Sequence, residues 1–86
     1  MYILNVSSGG VTIKRWSDEQ VFPLANMADY DQFLTTEAAA SGLPVEELSV
    51  AVSSSMDFPE DYTSDPVVVA FARELRPDGW LSEMRR

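Results

Sequence analysis

The amino-acid sequence predicts an α+β fold: a small antiparallel sheet of three to four strands with two helices packed on one face, in the order β-β-(β)-α-β-α. Three observations predict it. Two runs rich in β-branched and aromatic residues flank a Ser-Ser-Gly-Gly stretch near the start. Helical apolar periodicity runs over 26–41 and again after Asp65-Pro66. Between those two stretches the apolar residues alternate with a period of two. At 86 residues the chain can bury one core, so 1–86 reads as a single compact domain.

The hairpin comes first. Tyr2-Ile3-Leu4-Asn5-Val6 and Val11 to Trp16 suit strands, and Ser7-Ser8-Gly9-Gly10 supplies a turn that tolerates positive φ. Tyr2, Leu4 and Val6 share one face of the first strand; Val11, Ile13 and Arg15 share one face of the second. Val21-Phe22-Pro23-Leu24 reads as a third, edge-like strand, because Pro23 has no N–H to donate to a ladder.

Asn26 to Ser41 reads as a helix stopped by Gly42 and Pro44. Met27, Tyr30, Phe33, Leu34, Ala38 and Ser41 fall in one arc and form its core-facing stripe. Glu37 projects within that arc and is expected to be a rim carboxylate near the helix end. Leu43 to Glu47 suits a single helical turn. Leu48, Val50, Val52, Ser54 and Met56 then alternate with small residues, which suggests a strand central in the sheet. Asp65-Pro66 has the form of an N-cap followed by proline at the first helical position. Val67, Val68, Phe71, Ala72 and Leu75 make a second stripe, although the valine run leaves strand and helix both open over 66–76. Trp80, Leu81 and Met84 give 80–86 the character of a docking tail.

Composition narrows the function more than any motif. There is no cysteine and no histidine, which removes thiolate chemistry, disulfides, the usual general base and the commonest metal ligand. Fourteen acidic and six basic residues give a net charge of −8. Between Trp16 and Ala72 there is no Lys or Arg, while most of the acidic residues fall there. A nucleic-acid binder draws its affinity from Lys and Arg against phosphates, so direct nucleic-acid binding is not expected. The longest apolar run, Val67 to Ala72, is far short of a membrane span, and the N-terminus lacks a signal-like pattern. A soluble, cytoplasmic protein is the expectation.

The carboxylate pairs Glu46/Glu47 and Glu60/Asp61 are adjacent in sequence and do not face one another across a cleft, as acid–base catalysis requires. Asp57, Glu60, Asp61 and Asp65 lack the glycine and ligand spacing of a calcium loop. Ser7-Ser8-Gly9-Gly10 lacks the lysine and following helix of a phosphate cradle. Glu37 to Leu48 has a spacing similar to helix-turn-helix, but its second helix would carry Glu46 and Glu47 where basic residues are needed. No catalytic residue, metal or cofactor is assigned, and the chain is not expected to be an enzyme.

The segment singled out for partner binding is Asp57 to Asp65. It sets two aromatic anchors, Phe58 and Tyr62, among the carboxylates Asp57, Glu60, Asp61 and Asp65, with Pro59 limiting its freedom. Glu46, Glu47 and Trp80 are secondary candidates. The expected partner is a protein with a basic surface, of the kind that handles nucleic acid, which this chain would inhibit or regulate. In size, acidity and lack of catalytic residues the chain is similar in class to virus-encoded DNA mimics and anti-CRISPR proteins. The alternative expectation is a structural or assembly protein acting as a homo-oligomer, a homodimer included.

Overall fold

A computed structural model describes residues 1–75. The chain forms strands β1 (Tyr2–Ser7), β2 (Gly10–Arg15) and β3 (Gln20–Leu24), helix α1 (Met27–Ser41), strand β4 (Val50–Val52) and helix α2 (Pro66–Leu75). Short 3-10 turns occupy Val45–Glu47, Ser54–Met56 and Pro59–Asp61. The four strands make one sheet in the order β3-β2-β1-β4. This is the expected α+β fold, with helices on one face.

β1, β2 and β3 pair antiparallel, through registers that include Leu4 with Ile13 and Ile13 with Phe22. β4 departs from the wholly antiparallel expectation: it pairs parallel to β1, with Tyr2 opposite Val50 and Leu4 opposite Val52. The reason is the connection. A tight turn reverses a strand, but β3 reaches β4 through the fifteen-residue α1, and a helical crossover brings the chain back in the same direction. β4 is also an edge and only three residues long, not the central strand that alternation suggested. Past Val52 the alternation of Ser54 and Met56 belongs to a 3-10 turn. The Ser55 hydroxyl there accepts the Val6 N–H at 2.9 Å, taking over where the backbone ladder ends. A serine side chain can supply that acceptor as well as a carbonyl can, so period-two spacing survived without a strand.

One face of the sheet carries Tyr2, Leu4, Val6, Val11, Ile13 and Leu24, which form the core with Met56, Phe71, Ala72 and Leu75. Met27, Tyr30 and Phe33 of α1 pack against it. α1 begins at an Asn26 cap, whose side chain accepts the Asp29 N–H, and ends at Gly42 in the left-handed conformation at φ 74°. α2 settles 66–75 as helix. Asp65 caps it, its Oδ1 accepting the Val67 N–H at 2.9 Å. Of its apolar stripe Phe71, Ala72 and Leu75 are buried, while Val67 is 69% exposed because it sits on the first turn, at the margin of the core.

Candidate functional site

The acidic stretch from Asp57 to Asp65 is shaped by two consecutive 3-10 turns followed by the α2 cap. Proline fixes φ near the helical value, so Pro59 starts the second turn readily. Pro59 is also the residue of that turn that enters the core, just after the fully buried Met56. With those two as anchors, the aromatic rings are displaced outward. Phe58 is 49% exposed and Tyr62 48% exposed, so neither plugs the core. Backbone bonds hold the spacing: Asp61 N–H donates to the Phe58 carbonyl and Tyr62 N–H to that of Pro59, both at 3.0 Å.

Around the rings stand the carboxylates. Asp61 and Asp65 are exposed. Glu60 accepts from Arg73 of α2 at 2.7 Å, with both side chains half-exposed. Thr63 Oγ1 accepts the Asp65 N–H, closing the loop into the helix cap. A shallow depression of about 430 Å³ lies between Ser8 of the hairpin turn and the Glu60–Asp65 stretch. Glu60, Asp61, Tyr62 and Asp65 thus line one side of this depression, with the exposed Phe58 just before them and the half-buried Asp57 preceding it. Glu46 and Glu47 are exposed elsewhere: their turn packs on α1, whereas the Pro59 turn packs on α2. Leu43 and Val45, 46% and 40% exposed, flank them. Trp80 and the 80–86 tail lie outside the described residues.

Two contributors had no local signal in the sequence. Arg73 comes thirteen residues after Glu60, and Ser8 arrives from the opposite end of the chain. Neither fits a motif.

Glu37 is the main correction. It is not a rim carboxylate but is buried, 7% exposed. The Tyr2 hydroxyl donates to its Oε1 at 2.9 Å and Arg15 Nη1 to its Oε2 at 2.8 Å. Arg15 also grips Asp18 with two bonds, Nε to Oδ1 at 3.1 Å and Nη2 to Oδ2 at 2.7 Å. Burial foremost, and then the bond to Glu37, raises the Tyr2 hydroxyl above its ordinary value of 10.0. The Arg15 hydrogen bond holds the Asp18 carboxyl below the ordinary 3.8. The guanidinium lies 5.2 Å from the Phe22 ring, whose neighbour Phe33 packs edge-on to Tyr2. With these partners supplied from within, the cluster ties the hairpin to α1.

Lys14, Arg15 and Arg73 are the cationic side chains among the described residues, and each is engaged internally, Lys14 with Glu19 at 3.4 Å. Asp31, Glu46, Glu47, Asp61 and Glu74 have no such partner among the described residues. No group of three or more carboxylates among those residues is placed to hold a metal ion. No described helix is long and apolar enough to cross a membrane. No protein-family model, curated protein or solved structure matches the chain.

Proposed function

We propose that this chain is a non-enzymatic acidic binding protein that docks, through its Asp57–Asp65 rim, on a basic surface of a nucleic-acid-handling protein and inhibits or regulates it. The observation that carries the reading is the pairing of two half-exposed aromatic rings with a rim of carboxylates on a turn stiffened by Pro59. Exposed aromatic rings on a fixed backbone lose little conformational freedom on binding. Carboxylates around them favour Arg and Lys on the partner and speed encounter. Because the described cations are already engaged, the outward field of this side is negative, as a phosphate backbone would present it.

The test is retention of host proteins from nuclease-treated lysate on the immobilised chain. A basic nucleic-acid-binding complex should be held, released as salt rises, and displaced by duplex DNA. Reversing charge at Asp57, Glu60 and Asp61 together, or truncating Phe58 and Tyr62 to alanine, should abolish that retention. Equal retention by both variants would remove the rim from the interface.

A further inference from the structure

The pleat of a sheet sends alternate side chains to opposite faces, so the strand residues not used in the core share a second face. Val21, Lys14, Ile3 and Ala51 align across the four strands in one row. Pro23, Thr12 and Asn5 make the next. Both helices pack on the opposite side, so nothing among the described residues forms a second layer over these rows. Val21 is 56% exposed, and so is Trp16 just past β2, with Lys14 Nζ 5.3 Å from its ring.

The charge on this face is unlike the rest of the molecule. The chain has fourteen acidic residues, yet none of the four strands contains an aspartate or glutamate. At the margin Glu19 is neutralised by Lys14. We propose that this open sheet face is where a second copy of the chain docks, the two sheets stacking face to face. Two molecules each carrying −8 repel at most mutual orientations. Stacking neutral face on neutral face is the approach that leaves the helices, the turns and their carboxylates on the two outer sides. It buries Val21, Ile3 and Trp16 against apolar neighbours and satisfies the ~10 Å spacing of packed sheets. The sheet is only about 19 Å wide for four strands at ~4.8 Å. That places the contact at the low end of specific interfaces, so the dimer is weak and concentration-dependent. Its consequence is bivalence: two acidic rims on opposite sides of one assembly.

Sedimentation of the full chain from micromolar to sub-millimolar concentration tests this without any partner. The mass should rise toward twice the monomer's, and added salt should strengthen association by screening the two like charges. Val21→Asp adds a carboxylate to each copy's contact face, opposite Lys14, takes each copy's charge from −8 to −9, and should weaken the dimer about tenfold or more. Val67→Asp, on the exposed first turn of α2, should leave it unchanged. Association that persists in Val21→Asp, or that weakens as salt rises, overturns the proposal. So does a monomer at every concentration; if its Ile3 and Val21 methyl groups are nevertheless shielded from solvent by NMR, the face is covered by the chain's own residues after Leu75 instead of by a second copy.

Discussion

Removing the Tyr2 hydroxyl measures how tightly the hairpin is tied to α1. Tyr2 donates to a carboxylate that is 7% exposed, at 2.9 Å. A hydrogen bond to a charged group contributes about 1.5–3 kcal/mol. In Tyr2→Phe, Glu37 keeps its Arg15 bond at 2.8 Å, so the loss belongs at the lower end, about 1.5 kcal/mol. Glu37→Leu deletes both bonds and strands the buried Tyr2 hydroxyl, for a cost of about 2–3 kcal/mol. The double variant removes donor and acceptor together. No buried polar atom of this pair is then left without a partner, so its cost should fall short of the sum of the singles by at least about 1 kcal/mol. Urea unfolding at constant pH reads all four proteins, and unchanged slopes would confirm that the same transition is compared. In a chain of this size about 1 kcal/mol moves the melting temperature by roughly 4–8 °C, well within resolution. Tyr2→Phe within about 0.5 kcal/mol of the parent, together with additive singles, would refute the reasoning and return Glu37 to a solvated rim.

The same cluster shapes the response to pH. Asp18 has a depressed native carboxyl, so its contribution is present above the ordinary 3.8 and is lost as pH falls through the lower native value. Asp18→Asn should therefore be less stable than the parent at neutral pH and converge with it in acid. Tyr2 behaves oppositely: its stabilising share is complete below 10.0 and disappears as pH rises through the raised native value. Unfolding curves across pH check both. At the other edge of the sheet, Ser55→Ala deprives the buried Val6 N–H of its acceptor, an expected loss of about 1–3 kcal/mol by urea unfolding.

The parts of this fold that were legible in the sequence are those written in local chemistry. The hairpin turn, the Asp65 cap and the Gly42 stop each depend on residues within a few positions, and each stands where the sequence places it. What was not legible depends on residues far apart. The direction of β4 follows from the length of α1, and its early end follows from a serine hydroxyl that meets Val6 from 49 positions away. Glu37 shows the limit most clearly. A carboxylate in an apolar arc looks like a margin unless one knows that Tyr2 and Arg15, from two different strands, converge on it. In the acidic segment the sequence singles out Phe58 and Tyr62 as anchors for a partner, and the structure leaves both rings half-exposed. Met56 and Pro59 are the fully buried side chains of that stretch, and the two rings are not.

The Glu60–Arg73 pair bears on how such a rim could engage a basic partner. Both side chains are half-exposed, and pairs of that kind contribute only about 0–1 kcal/mol. Exchanging Arg73 for an arginine of the partner thus costs little, while until that exchange Arg73 fixes the Glu60 side chain toward α2. The contrast with Arg15 is instructive. That guanidinium is held by two carboxylates, one of them buried, and is not available for exchange. Among the described residues, Arg15 is thus locked into the fold, whereas Arg73 can yield its carboxylate. Glu60, the carboxylate that Arg73 holds, lies between Phe58 and Tyr62 in the sequence, so an incoming Arg or Lys would also find half-exposed aromatic rings nearby. On the proposed reading the exchange would keep the number of ion pairs the same, and the half-exposed Arg73 would return to solvent instead of becoming a buried unpaired charge.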